Sequence, residues 1–463
     1  MKRQLFSAFL VISLLTSMLG LAFNTRLGKA EGETIYIRAD GSIDPLSAPI
    51  STLDNVTYKL TRDISSSSDG IILERNNTVI DGDKHTIKGS GEGNGIDLTG
   101  RSGVTVENTA INNFHYGLCL SNTQKAALSR NNITNNDHGI HLDFSSNNLV
   151  RGNNVNANNL SGIYLYFSAD NDVCGNNVTA NPFHGGIYLY SSTNNIVCAN
   201  NVTANKGSGI SLQVGCSNNS ISENNITNNE GIVSLYYSSS NNKFYHNNFI
   251  NNTHQVYLNS SAANVWEDGY PSGGNYWSDY NGTDFNSGSY QNETGSDGIG
   301  DMPHTIDETN ADNYPLMGMF NSYNVTYYTQ PLVPHACNVT VISNSTISDF
   351  VAPIWIEHPE AIFLMFNVTG EQGSTGFCRV SFPTVMMNGT YHVSVNGTEI
   401  PYTLLPFSDA NYSYLYFTYT HSTQVIIIPE FPSFMILPLF MFFTVLAVVF
   451  MQRKIPRKHK NSG

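Results

Sequence analysis

The stretch CGNNVTANPFHGGIYLYSSTNNIVCANNVTAN, from Cys174 to Asn205, says nearly the same thing twice. Asn176-Asn177-Val178-Thr179 returns as Asn200-Asn201-Val202-Thr203, and Cys174 returns as Cys198. The Asn-Asn pair stands at Asn131, Asn153, Asn176, Asn200, Asn224 and Asn247, a period of about 22 to 24 residues. A second phrase, glycine then an aliphatic, keeps step with it at Gly95-Ile96, Gly117-Leu118, Gly139-Ile140, Gly162-Ile163, Gly186-Ile187 and Gly209-Ile210. Two phrases in register over this many cycles restrict the chain to stacked, near-identical units. Each unit buries its apolar face only against the next.

The units read as strands. Around each glycine phrase aliphatic and polar or aromatic residues alternate, as in Ile187-Tyr188-Leu189-Tyr190, and period two means a strand with one buried face. Ser, Asn, Asp and Gly stand between the strands, where tight turns need them. A leucine-rich horseshoe has similar spacing, but its Leu-rich phrase and helical segment are missing. The expectation is a right-handed parallel β-helix over residues 71–258, about eight coils, with Val178, Ile187, Leu189 and Val197 buried. Alternation from Val178 turns Asn176 inward and Asn177 outward. Asn176 and its equivalents then stack into a ladder of side-chain amides.

Composition restricts partners and location. The formal net charge is −14, and no basic stripe exists to neutralise phosphates, which argues against nucleic acid. Met1-Lys2-Arg3, an apolar run over residues 5–23 and Gly28-Lys29-Ala30 read as a secretory signal. Residues 434–451 are apolar and precede Arg453, Lys454, Arg457, Lys458 and Lys460, as a short membrane span with a cytoplasmic basic tail would. About nineteen Asn-x-Ser/Thr triplets, Asn55, Asn132, Asn177 and Asn338 among them, suit an extracellular glycoprotein. Residues 324–428 are β-rich, with hairpin-type Asn-Gly turns at Asn388-Gly389 and Asn396-Gly397. The layout expected is a signal peptide (1–30), a lead-in and cap (31–70), the β-helix (71–262) and a Trp/Gly/Asp-rich closing segment (263–320). A β-sandwich (321–428), a Pro-Glu-Phe-Pro motif with a transmembrane helix (429–451) and a basic tail (452–463) follow.

The repeat phrases resemble the NosD-like and CASH-domain family of right-handed β-helices found in carbohydrate-binding proteins and sugar hydrolases. GGNYWSDYNGTDF, GSDGIGDMPHTID and NYPL, within residues 273–316, look like the segment that closes archaeal NosD-type repeats, and TIYIRADGSIDP (34–45) looks like their lead-in. Residues 324–428 resemble an immunoglobulin-like domain common before archaeal surface anchors, and Pro429-Glu430-Phe431-Pro432 resembles a PEF-type sorting signal. The resemblance implies an anchored cell-surface protein. NosD-type proteins are linked to copper-site maturation, so it also raises copper.

Outward positions of the strand after each glycine form two columns: Asp97, Cys119, His141, Tyr164, Tyr188 and Ser211, beside Thr99, Ser121, Asp143, Tyr166, Tyr190 and Gln213. Tyr164, Tyr166, Tyr188 and Tyr190 make a two-by-two patch whose flat faces and hydroxyl edges suit sugar rings, although tyrosine also favours strands with no ligand at all. His141, Asp143 and Cys119 are the candidates for catalysis, since a Cys beside a His can be an activated nucleophile and Asp/His can serve as acid and base. The facing of Asp137 and His138 is left open by alternation. Solvated polar positions on a sheet are the plainer reading, and no lyase, hydrolase or epimerase motif is visible. Asp297 and Asp301, in Asp-Gly-Ile-Gly-Asp, are candidates for calcium, against a plain acidic turn. Cys174 and Cys198 fit either a disulfide or a soft-metal pair, and Cys337 and Cys378 a bridge between sheets. No Met or His ladder supports copper. The leading expectation is a non-catalytic module for cell-envelope or extracellular polysaccharide, anchored through its C-terminus. A polysaccharide-active lyase, hydrolase or epimerase is the first alternative and a copper-handling accessory the second.

Overall fold

The computed structural model describes residues 32–429, except 232, 260–261, 330–332, 353, 356–357, 388–390 and 422. The signal peptide and everything expected from residue 430 onward lie outside the described residues. Among those described, regular structure is all strand, and no helix is long and apolar enough to cross a membrane. The chain divides into one unit of residues up to 281 with 302–315, and a second of 282–301 with residues from 316.

The first unit is a parallel β-solenoid of about nine turns. Its longest sheet runs in parallel from Ile35–Ile37 through Ile71–Leu73, Asn94–Asp97, Tyr116–Ser121, His138–Asp143, Ser161–Tyr166, Gly185–Tyr190, Ser208–Gln213 and Val233–Tyr236 to Val256–Leu258. Two ten-stranded sheets of mostly three-residue strands complete each coil. Coiling therefore starts upstream of residue 71, because Ile35 pairs with Ile71. The repeat phrases are absent there, since the first turn carries a long irregular detour before its next strand.

The alternation lands as read. Val178, Ile187, Leu189 and Val197 are buried, and Ile111, Ile133, Val155, Val178, Val202, Ile226 and Phe249 stack in register down one inner wall. At the last coil the stack widens into rings. Phe244 lies on Trp266 at 4.4 Å and Phe249 on Trp277 at 4.2 Å, which closes the apolar core with aromatic area.

Buried polar ladders run beside the aliphatic ones. In the first, Asn131, Asn153, Asn176, Asn200, Asn224, Asn247 and Asn275 each accept at Oδ1 from the backbone N–H of the preceding coil. Two more asparagine ladders pass through Asn136, Asn158, Asn181, Asn205 and Asn229 and through Asn148, Asn171, Asn195, Asn219, Asn242 and Asn264. A hydroxyl ladder joins Thr123, Ser145, Ser168 and Ser192. Every ladder is directional, so its last amide needs an acceptor. Asp312 supplies one: Oδ2 takes the Asn275 N–H at 2.7 Å and the Trp277 indole N–H at 2.9 Å. Burial still pushes the Asp312 carboxyl up to about 7, against those donors.

In the second unit, two five-stranded antiparallel sheets share an apolar core that includes Val341, Phe366, Val380, Phe382, Val393 and Leu415. The expected Cys337–Cys378 bridge between sheets is not formed, and both thiols are free. They lie on neighbouring strands of one sheet, Val333–Ser343 and Thr375–Pro383. Cys378 faces Ser343 in the register, which puts Cys337 roughly 20 Å further along its strand. Cys174 and Cys198, on adjacent coils in register, are joined as a disulfide.

Candidate functional site

The long sheet carries the outward columns in the expected register. Asp97, Cys119, His141, Tyr164, Tyr188 and Ser211 pair in succession, as do Ser121, Asp143, Tyr166, Tyr190 and Gln213. A third column of Asn94, Tyr116, His138 and Ser161 runs beside them. It exists because the glycine of each phrase breaks the alternation. A Cβ on Gly139 would come within 2.6 Å of the core methyl of Val155 and 2.5 Å of the Gly162 carbonyl, so Gly139 and Ile140 both face inward. His138 and His141, three residues apart, then face the same way.

The three columns and the turns leading into them gather a cluster of aromatic rings. His141 stacks on Tyr116 at 4.4 Å between centroids and stands 5.1 Å from Tyr164, which is 4.9 Å from Tyr188. His138 lies 5.9 Å from His115, 5.8 Å from His141 and 6.2 Å from His184, and His184 covers Tyr188 at 5.2 Å. Tyr166 and Tyr190 stack at 5.3 Å, and the Tyr188 hydroxyl donates to Gln213 Oε1 at 2.8 Å. His115, Tyr116 and His184 are not legible as site residues from strand alternation. Their shared signal is a ring placed one or two residues before a glycine phrase.

Burial sets the charge state. It drives the His138 imidazole down to about 3, with the neighbouring histidines adding repulsion, and His141 down to about 4. It raises the Tyr188 phenol to about 12 and the Tyr164 phenol beyond the usual range. At neutral pH these groups are uncharged, each with one N–H or O–H to give and a lone pair to receive. Cys119 is likewise pushed up to about 12, by burial first and Asp97 second. It stays a thiol at neutral pH, which argues against an activated nucleophile. His115 Nδ1 pairs with Asp137 at 2.9 Å.

Several polar atoms in this cluster are buried and have no partner: Nδ1 of His138, His141 and His184, Asp143 Oδ1 and Ser161 Oγ. His138 and His141 are each more than nine-tenths buried. Such atoms are costly in an interior and are retained where something else satisfies them.

The candidate calcium ligands lie in the second unit and are occupied by backbone. Asp301 accepts from the N–H groups of Phe285 and Asn286, and Asp297 Oδ1 from that of Ile299. Asp284 takes the N–H groups of Asp297 and Gly298, while burial pushes its carboxyl up to about 7. These carboxylates pin the loop that carries them. No group of three or more metal-binding side chains converges among the described residues.

Residues 61–282 match the family model described as periplasmic copper-binding protein (NosD). The chain carries a NosD-like β-helix repeat domain. A search of curated proteins gives no significant match. Among solved structures, the NosD-like chain is similar to the A-module of a mannuronan C-5 epimerase from Azotobacter vinelandii, with 14% identity, 44% of this chain and 71% of that one covered, and a TM-score of 0.31. It is also similar to an alginate lyase from a Paenibacillus species (17%, 47% and 98%, 0.30) and to the Dettilon tailspike protein (14%, 85% and 93%, 0.32).

Copper can be tested against the donors present. Imidazoles suit it, and His115, His141 and His184 surround His138, but Tyr116 and Tyr164 stack on the His138 ring. Among the described residues no group of three or more His, Cys, Asp or Glu side chains converges to hold a metal ion. The soft ligands are withdrawn as well, Cys174 and Cys198 in a disulfide and Cys119 and Cys216 as buried thiols. These residues do not fit a preformed copper centre.

Proposed function

We propose that the outer face of the long sheet is a glycan-binding surface of an extracytoplasmic protein, with Tyr164, Tyr166, Tyr188 and Tyr190 as its stacking rings. The observation that carries this reading is the set of unpartnered polar atoms on His138, His141, His184, Asp143 and Ser161 among stacked aromatic rings. Neutral donors and acceptors at the edges of flat apolar faces suit a molecule that is itself a flat ring edged with hydroxyls. The site is shallow, so single contacts are weak and many copies on one surface supply avidity. Asp297 and Asp301 serve as loop fasteners in this reading, without calcium.

The test is binding to a panel of immobilised glycans by wild type and by Tyr164→Ala/Tyr188→Ala. The double variant removes two outward rings and no aliphatic core, so its circular dichroism should be unchanged while binding falls about tenfold or more. A folded double variant that binds as well as wild type would reduce the tyrosines to strand formers. A second reading, catalysis on the polysaccharide, draws on the neutral imidazole of His141 beside Tyr164. It requires that the same panel show chain cleavage or epimerised product, lost in His141→Ala.

The residues after 316 act in this proposal as an immunoglobulin-like stalk, and the Pro-Glu-Phe-Pro motif with the apolar span behind it as the anchor. A chain ending at residue 429 should appear in the medium, whereas the full chain stays with washed membranes. Retention of the shortened chain would contradict the anchor.

A further inference from the structure

The turn that leaves the long sheet carries a phenylalanine on two neighbouring coils. Its first residue adopts a left-handed backbone on successive coils whatever the side chain: Asn122 at φ 52°, Phe144 at 44°, Phe167 at 44°, Ser191 at 45°, Val214 at 59° and Tyr237 at 51°. Asn and Ser are at ease there, since a short polar side chain tolerates this conformation; a phenylalanine is not. Phe144 and Phe167 gain no burial in exchange, being 57% and 43% exposed. Their rings instead stack at 5.2 Å and 6° apart, and Phe167 stands edge-on to Tyr166 at 4.6 Å. The turn conformation belongs to the coil, but two large apolar rings left exposed and stacked on each other across adjacent coils point to a use outside the fold.

The shelf adjoins the site already described. It lies six residues along the strand from His138 to Phe144, about 20 Å, with His141, Tyr164, Asp143 and Tyr166 between. Charge restricts the occupant. The three outward columns contain no Lys or Arg, yet include the carboxylates of Asp97 and Asp143. A polyanion would meet uncompensated negative charge along this path.

Resting on the glycan reading above, we infer that the ligand is an uncharged polysaccharide lying along the strands, its sugars running from the histidine cluster to a terminal stacking subsite on Phe144 and Phe167. The rings at the shelf add affinity only for a chain long enough to reach them, and the carboxylates exclude uronates.

Calorimetric titration of the full chain with neutral hexose oligosaccharides, from disaccharide to hexasaccharide, tests this, with oligogalacturonates of matching length alongside. Affinity for the neutral series should rise with length, and the uronates should bind at least tenfold more weakly than neutral chains of equal length at low salt. Phe144→Asn/Phe167→Asn places at both positions the residue that Asn122 already shows to be compatible with the turn. This variant should unfold no earlier than wild type, bind the disaccharide unchanged and lose about tenfold on the hexasaccharide. Equal hexasaccharide binding by the variant would overturn the shelf, and uronate binding as tight as neutral binding would overturn the charge argument. Failure of wild type to bind any sugar would instead remove the glycan reading on which the inference stands.

Discussion

Asn200→Ala is expected to destabilise the solenoid by about 3 kcal/mol, a large fraction of a typical domain's margin, although the side chain is small and touches no proposed ligand. Asn200 Oδ1 accepts the backbone N–H and the side-chain amide of Asn176 at 2.9 and 3.0 Å, and its own amide donates to the Val173 carbonyl and to Asn224 Oδ1. Alanine strands the buried Asn176 N–H, which alone costs about 1–3 kcal/mol, and leaves a cavity beside it. It also splits the ladder, so that neighbouring amides lose a polarised partner. Asn201→Ala is the internal control. Its side chain is exposed and makes one amide bond to Asn177 at 2.8 Å, so the change should stay within about 0.5 kcal/mol. Urea unfolding of the two proteins separates the cases. Equal stability would mean that the ladder follows the coil geometry and does not help set it. In a solenoid the loss can also surface as an early transition confined to the coils around residue 200, because each coil leans only on its neighbours.

The phrase that makes this prediction possible was visible in the sequence, and the reason is geometric. In a parallel stack, one residue choice is repeated at every coil, so a periodic phrase is a direct print of a column in space. That is why the two tyrosine columns and the inward asparagine at 176 could be placed residue by residue. The other two asparagine ladders are equally periodic, but they sit in turns, where alternation gives no facing. The histidine cluster escaped for a related cause. His138 and His141 share a face only because the inward glycine between them resets the alternation, and His184 reaches the site from a turn. The acidic loop presents the opposite case. Asp297 and Asp301 have the composition of cation ligands, but composition does not reveal that backbone amides take up their oxygens. For Cys337 and Cys378, strand content was legible and the antiparallel register that separates them was not.

Gly162→Ala is expected to cost about 3 kcal/mol and to lower the yield of folded protein, the second large effect. This glycine is not needed for its backbone conformation; it is needed because nothing else fits. A Cβ there would lie 2.5 Å from Val178 Cγ1, 2.7 Å from the Gly186 carbonyl and 2.9 Å from Asn181 Nδ2. Two of those neighbours are an adjacent coil's backbone and a ladder amide, which move only if the stack opens. Gly175→Ala supplies the contrast. At φ 66° with no atom within 4 Å of its Cβ, it should cost about 1 kcal/mol through backbone strain alone. A Gly162→Ala protein whose unfolding midpoint matches wild type would show that adjacent coils can spread without penalty. The binding face depends on their not doing so. The inward glycine lets adjacent backbones approach, and that approach holds His141, Tyr164 and Tyr188 at ring separations of 5.1 and 4.9 Å. Spreading the coils at Gly162 should therefore weaken glycan binding along with stability, whereas Gly175→Ala, in the turn between the other two sheets, should lose stability alone.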